Sequence, residues 1–305
     1  MRILVTGVSG QVGHELAGLL ASEGAVIAAD RSVLDLAADP QALRDTLRRL
    51  APDLIVNPAA YTAVDRAESE EPLARSINAI APGVLAEVAA ARGIAMIHFS
   101  TDYVFDGSAS GPYGEDAPCA PASAYGRTKR EGEIAVQAAG GRHFILRTSW
   151  VYGLRGKNFL ATMARLAGER PELRVVDDQV GAPTTSVAIA RGTLSLIAQL
   201  RRGASVAPGV YHMTCAGQTS WCGFARAIVG RLARVRAALG MPDSPLPPPA
   251  VTAITTAEFP TPARRPANSV LSNDKLLREA GIALPAWEQA LDDLLAVSRT
   301  GRAAT

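Results

Sequence analysis

Two short stretches of this chain carry the residues best suited to moving a proton: Ser100-Thr101-Asp102, and Tyr125-Gly126-Arg127-Thr128-Lys129. The tyrosine and the lysine stand four positions apart. On a helix spanning 123–139 both side chains leave one face, one turn apart. An ammonium beside a phenol favours the phenolate. A free tyrosine titrates near about 10. A unit charge about 4 Å away, at an effective dielectric of about 20, contributes about 4 kcal/mol, an upper figure that desolvation of either group reduces. Lys129 is therefore expected to draw the Tyr125 hydroxyl down to where it can pass a proton. Thr101 follows the apolar run 94–99, which places it at the C-terminal end of a strand. There its hydroxyl can bond the same oxygen that Tyr125 serves. A tyrosine and lysine at this spacing also occur as a plain surface pair, so the elements around them carry much of the weight.

Those elements begin at the N-terminus. Residues 2–6 read as a short buried strand, followed by Gly7-Val8-Ser9-Gly10-Gln11-Val12-Gly13 and a helix to about residue 22. In the spacing G-x-x-G-x-x-G, the first glycine permits the turn, the second admits a pyrophosphate, and the third lets helix pack on strand. The free N–H groups of the helix then face the phosphates. The next strand, 25–29, ends at Asp30, placed to accept from an adenosine ribose; Arg31 beside it suits a 2′-phosphate, so NADPH and NADH both remain open. Asp35-Leu36 lies in the following loop. A third strand, 53–56, runs into Asn57-Pro58-Ala59-Ala60-Tyr61-Thr62, where small residues leave room for a flat cofactor. A helix over 72–92 and the strand 94–99 follow. Strands alternating with helices at this spacing predict an α/β fold with a Rossmann-type doubly wound parallel sheet, its ligands at the carboxyl edge.

Residues 103–122 read as a long functional loop. The strand 142–148 delivers Trp150. Beyond 153, helices are expected over 158–168, 184–200, 219–239 and 285–298, with short strands at 172–176, 209–213 and 251–254. Residues 242–249 hold five prolines, and 260–269 form an extended basic segment whose arginines suit phosphate. The segment 298–305 is expected to fray.

Composition narrows the function classes. The chain has 305 residues with net charge +2 and 5% aromatics, which argues against nucleic acid and acidic membranes. Cys119, Cys215 and Cys222 form no C-x-x-C pair and no disulfide framework. The charges over 61–71 read as a solvated helix start, so no metal site is assigned. With no targeting signal or membrane span in view, a soluble cytoplasmic protein is expected.

Three motifs together, Thr6-Gly7-x-x-Gly10-Gln11-x-Gly13, Ser100-Thr101-Asp102-Tyr103-Val104-Phe105-Asp106-Gly107 and Tyr125-Gly126-x-x-Lys129, resemble the extended short-chain dehydrogenase/reductases. Three more narrow this to the nucleotide-sugar 4-ketoreductases: Arg147-Thr148-Ser149-Trp150-Val151-Tyr152, Asp178-Gln179-x-Gly181-Ala182-Pro183-Thr184 and Pro262-x-x-Arg265-Pro266-x-Asn268-Ser269. The resemblance covers residues 1–298. It implies an NAD(P)-binding domain over 1–150, to which later segments return, and a smaller C-terminal α/β substrate lobe mainly over 151–305. It also implies reduction of the C4 keto group of dTDP-6-deoxy-L-lyxo-4-hexulose with NADPH or NADH. Carried over by motif, Tyr125 is the proton donor, Lys129 lowers its pKa and holds the nicotinamide ribose, and Thr101 tunes it. Gly7, Gly10, Gln11, Val12 and Gly13 form the pyrophosphate turn. Asp30 and Arg31 face the adenosine ribose, and Asp35, Leu36, Ala60, Tyr61 and Thr62 are further cofactor contacts. Asp102, Tyr103, Trp150, Arg265 and Asn268 fall on the dTDP-sugar side.

Some members resemble magnesium-linked homodimers; the resemblance leaves Mg2+ at a dimer interface open here, and because its ligands are not mapped residue by residue no metal residue is assigned. Pro58 departs from the family pattern, where alanine is commoner, and removes no functional group. A related dehydratase would carry a glutamate after Asp102; Tyr103 stands there instead. A nucleotide-sugar epimerase and a non-catalytic dinucleotide-binding regulatory subunit remain as alternatives. The intact Thr101, Tyr125 and Lys129 set argues against the second.

Overall fold

The protein, described here from a computed structural model over residues 1–244 and 246–300, is organised by one parallel sheet. In chain order the strands are β1 (Arg2–Thr6), β2 (Ala25–Ala29), β3 (Leu54–Asn57), β4 (Ala95–Thr101), β5 (His143–Thr148), β6 (Val151–Tyr152), β7 (Glu172–Val176), β8 (Val180–Gly181), β9 (Thr184–Thr185), β10 (Gly209–His212), β11 (Thr219–Ser220) and β12 (Ala250–Ile254). Six of them form the sheet, in the order β10-β5-β4-β3-β1-β2, with every pairing parallel. Strand order reverses direction between β1 and β3, which opens a crevice at the carboxyl edge.

Alternation along each strand makes the sheet doubly wound. Ile3, Val5, Leu54, Val56, Ile97, Phe99, Phe144 and Leu146 point into one core, against Leu16 of the helix Gln11–Leu19 and Ile189 and Leu196 of the helix Ser186–Arg201. Leu4, Ile55, Met96 and Ile145 point into the other. There they meet Leu43 and Leu47 of Pro40–Leu50, Leu85 of Ala81–Ala91 and Val136 of Ala124–Ala138. Fully burying each such side chain contributes about 1.5–3 kcal/mol, which outweighs the modest intrinsic propensities of these short segments.

Three smaller two-stranded sheets, β11 with β8, β12 with β7 and β6 with β9, build the C-terminal half around the helices Phe159–Leu166 and Trp221–Val229. The expected helix over 219–239 is two helices, Trp221–Val229 and Leu232–Ala238, parted at Gly230-Arg231. A helix not anticipated from sequence, Asp274–Ala280, follows the basic segment. Trp287–Thr300 runs into the segment expected to fray, of which 301–305 lie outside the described residues. Pro245 of the five-proline stretch also lies outside them.

The loop over 103–122 is more ordered than its composition suggests. Phe105 stacks on Tyr113 at 4.2 Å, and Val104, Phe105, Tyr113 and Leu271 form a small core of their own. Tyr113 donates its N–H to the Val270 carbonyl at 2.9 Å and accepts from the Ser272 N–H at 2.8 Å. A distant piece of chain thus supplies the order that local sequence lacks.

Candidate active site

A cleft of about 670 Å³ opens along the carboxyl edge, over the ends of β1 to β5. Of the residues singled out from sequence, Gly7, Gly10, Gln11, Val12, Gly13, Asp30, Arg31, Asp35, Leu36, Ala60, Thr62, Thr101, Asp102, Tyr103, Tyr125, Lys129 and Trp150 all line it. Tyr61, Arg265 and Asn268 do not. The Tyr61 hydroxyl bonds Glu70 and its N–H donates to Asn78 Oδ1 at 2.8 Å. Arg265 pairs with Asp65 at 2.7 Å. The Asn268 amide is spent on the Ala109 and Gly111 carbonyls, at 2.9 and 2.8 Å, where it fastens the loop described above.

The glycine turn fits a dinucleotide diphosphate. A Cβ on Gly13 would lie 2.2 Å from the Gly7 carbonyl oxygen, so only glycine lets the helix Gln11–Leu19 start this close to β1. Its N-cap, Gly10, carries no side-chain cap, which leaves the first N–H groups directed at the cleft.

Thr101 and Tyr125 meet where β4 ends. Ser123 caps the helix Ala124–Ala138 by accepting from the Gly126 N–H at 3.2 Å. Gly126 brings this helix against the turn at Tyr103, since a Cβ there would lie 2.2 Å from the Tyr103 carbonyl oxygen. Tyr103 meets Tyr125 edge-on at 5.4 Å. The Thr101 hydroxyl donates to Asp102 Oδ1 at 2.9 Å and accepts from the Tyr103 N–H at 3.2 Å.

The electrostatics differ from the expectation drawn on spacing alone. Burial pushes the Tyr125 hydroxyl well above its ordinary value, opposed by a hydrogen bond with Thr101 and reinforced by Asp102 and Tyr103. Lys129 is absent from these influences. Its ammonium nitrogen turns to the Phe99 carbonyl oxygen, at 2.6 Å, and its side chain is 1% exposed. Burial brings Lys129 itself down to about 8, with Glu133 pulling the other way. Desolvation therefore sets the direction of the Tyr125 shift, upward where the spacing argument expected it to fall.

Beneath the cleft lies a buried polar chain that the motif reading missed. Thr6 donates to Asn57 Oδ1 at 2.6 Å, Asn57 Nδ2 meets His98 Nδ1 at 3.0 Å, and His98 Nε2 lies 3.4 Å from Lys129 Nζ. His98 is held far below its ordinary pKa by burial and by Lys129, and so is neutral. The signal was present: Asn57 and His98 are polar residues inside otherwise apolar strands. Asn78, in the π-helical turn Ser76–Ile80, joins Tyr61 to Thr128 by donating to the Tyr61 carbonyl and to Thr128 Oγ1, each at 3.2 Å.

Asp102 is 3% exposed, and its Oδ2 has no hydrogen-bond partner in the protein. Burial raises its carboxyl to about 6, against bonds from Ser269 and Thr101 that lower it. The folded-state pKa lies above the unfolded value of about 4. Stability from the protonated form is therefore complete below about pH 4 and is lost as pH rises through about 6. Asp102→Asn is expected to stabilise the ligand-free protein by up to about 3 kcal/mol at about pH 7 and by little at about pH 4. Urea unfolding at both pH values checks this; equal effects at the two would mean the carboxyl titrates normally.

On the far wall, Trp150 adopts a left-handed backbone conformation, φ 47°, uncommon for a bulky residue. Its ring stacks on Trp221 at 3.6 Å, and Trp221 also lines the cleft. Among the described residues no group of three or more His, Cys, Asp or Glu side chains is placed to hold a metal ion, and no helix is long and apolar enough to cross a membrane.

The family model for the RmlD substrate binding domain matches residues 1–300. A dTDP-4-dehydrorhamnose reductase of Burkholderia thailandensis is 49% identical over 294 residues, covering 95% of this chain and 97% of that protein. A solved structure of a dTDP-4-dehydrorhamnose reductase from Clostridium acetobutylicum superposes with a TM-score of 0.86 at 38% identity, over 98% of this chain and 100% of that one. The corresponding Bacillus anthracis structure, in complex with NADP, gives 0.84 at 33% identity, over 97% and 99%.

Proposed function

This chain belongs to the RmlD family of dTDP-4-dehydrorhamnose reductases, and from that premise we infer that the cleft is the reductase's active site, with Tyr125 as its proton donor. The activity is the NAD(P)H-dependent reduction of the C4 keto group of dTDP-4-dehydro-L-rhamnose to dTDP-L-rhamnose, the last step of dTDP-L-rhamnose biosynthesis. The observation that carries the site reading is the position of the buried Tyr125 hydroxyl, bonded to Thr101 and set in the same cleft as the glycine turn.

Reduction of a ketone needs a hydride on carbon and a proton on oxygen. When bound, the nicotinamide supplies the hydride. The chain's own groups supply the rest. Gly7, Gly10, Gln11, Val12 and Gly13 would receive the cofactor's diphosphate, with Asp30, Arg31, Asp35, Leu36, Ala60 and Thr62 along its adenosine side. Tyr125 gives its proton to the O4 oxygen as negative charge develops there; the Thr101 hydroxyl, which donates to Asp102 Oδ1 in the ligand-free chain, would turn that hydrogen toward O4 to help hold it. Lys129, fixed by the Phe99 carbonyl, places an ammonium at the floor of the cleft, where it can serve the nicotinamide ribose. The free Oδ2 of Asp102, with Tyr103 and Trp150, forms the sugar's side. Residues 1–150 then serve mainly the cofactor and 151–305 mainly the nucleotide sugar. A cytoplasmic location and a homodimer belong to the same reading.

Turnover is tested by loss of nicotinamide absorbance, with the keto sugar generated in place by its upstream enzymes. Oxidation that requires the keto sugar, and yields dTDP-L-rhamnose, supports the reading. Tight cofactor binding without oxidation would favour a regulatory role.

Cofactor choice is tested at Asp30. Its Oδ1 accepts from the Ser32 N–H at 2.9 Å and the Ser32 hydroxyl at 2.6 Å, and these bonds hold its pKa below the ordinary carboxylate value. The ionised carboxylate would repel a 2′-phosphate. Asp30→Ala is therefore expected to weaken NADH more than NADPH in fluorescence titrations. Equal losses would confine Asp30 to shaping the turn at Ser32.

A further inference from the structure

The chain contains three lysines. Lys129 is buried at the catalytic floor. Lys275 donates to the Val210 carbonyl at 2.9 Å and sits over the Tyr211 ring. The third, Lys157, is exposed, lines the cleft, and among the described residues makes no ion pair or hydrogen bond.

Its backbone is held in place while its side chain is free. The neighbouring Asn158 donates to Gln11 Oε1 at 2.9 Å and to the Gly153 carbonyl at 2.9 Å, and its Oδ1 accepts from the Ala161 N–H at 3.0 Å, capping the helix Phe159–Leu166. The segment 153–158 is thereby fastened to the first residue of the helix Gln11–Leu19, at the turn whose N–H groups face the cleft. Lys157 stands one residue from that fastening point.

Charge gives the position its meaning. The cleft carries acidic side chains at Asp30, Asp35 and Asp102, against Arg31, Lys129 and Lys157. Of the three cations, Lys129 is committed to the Phe99 carbonyl and Arg31 lies at the β2 end with the adenosine-side residues. A diphosphate at the glycine turn therefore finds one uncommitted cation near it. We propose that Lys157 is a diphosphate-binding residue, brought over the glycine turn by the Asn158–Gln11 bond from the C-terminal half of the chain.

This rests on the reading of the cleft as a dinucleotide and nucleotide-sugar site. Both ligands contain a diphosphate, and direct binding separates them without requiring turnover. The full chain is compared with Lys157→Met and Lys157→Arg, using NADPH, dTDP and 2′-AMP at low and high salt. One exposed ion pair with a phosphate corresponds to a loss of roughly five- to tenfold in affinity, smaller at high salt. That loss is expected in Lys157→Met, with most of the affinity restored in Lys157→Arg. A loss on NADPH assigns Lys157 to the cofactor's diphosphate, and a loss on dTDP assigns it to the substrate's. Unchanged affinity for both overturns the proposal. So does an equal loss on 2′-AMP, which lacks a diphosphate and would move Lys157 to the ribose phosphate. Failure of the wild-type protein to bind NADPH or dTDP would instead remove the reading beneath it.

Discussion

Tyr125→Phe is expected to lower kcat by at least about 100-fold while leaving cofactor affinity nearly intact. Removing one hydroxyl removes the only group that Tyr125 is assigned to give the substrate, its proton. About 100-fold corresponds to about 2.7 kcal/mol of transition-state stabilisation, an ordinary figure for a positioned general acid. The phenyl ring keeps its edge contact with Tyr103 and its place on the helix Ala124–Ala138, so the cleft should hold its shape. Steady-state turnover and a fluorescence titration with NADPH, on the same preparation, separate the two effects. Near-normal turnover would take the proton-donor role away from Tyr125. A matching collapse of cofactor affinity would mean that the hydroxyl holds the cofactor and is not mainly an acid.

The second large effect is on stability. Glu133 and Arg147 form a bidentate pair, Nε to Oε1 and Nη2 to Oε2, each at 2.8 Å, with side chains 0% and 2% exposed. Burial alone would raise the Glu133 carboxyl, but bonds and charge from Arg147, with smaller contributions from Ser100 and Arg130, more than offset it and hold the carboxyl below its usual range. Arg147 also reaches the Glu115 carbonyl and Cys119 and lies over the Phe105 ring, tying the loop over 103–122 to the helix Ala124–Ala138. Glu133→Gln keeps the shape and removes the charge, leaving a guanidinium buried without its counterion. Breaking a buried pair in this way costs about 3–5 kcal/mol. Denaturant unfolding should show a loss of that size, with the slope unchanged. A loss under about 1 kcal/mol would place the pair with exposed salt bridges. Glu133 also pulls the Lys129 pKa upward, so the same substitution should lower it further and bring the loss of the ammonium to lower pH.

What the sequence determined follows from short-range geometry. A strand of apolar residues followed by G-x-x-G-x-x-G has few ways to fold, because the glycines serve contacts within one β–helix unit. Thr101 at a strand end, and Tyr125 four residues before Lys129, are likewise set by periodicity, so the cleft's floor was legible before any coordinates. The same holds for the parallel sheet, where alternating Ile3-Leu4-Val5 requires a core on each face. Tertiary structure decided whatever depends on residues far apart in the chain. Whether Lys129 lowers the Tyr125 pKa depends on where its nitrogen points and how deeply both groups are buried, and the Phe99 carbonyl and desolvation settled that against the spacing argument. Arg265 reads from sequence as a phosphate ligand, yet it pairs with Asp65, 200 positions earlier. Asn268 is spent on loop carbonyls in the same way. Lys157 carries no motif and became visible only because Asn158 reaches Gln11, 147 positions away. Local spacing sets which side chains share a face; electrostatics and burial are sums over the whole neighbourhood, and only the folded chain assembles that neighbourhood.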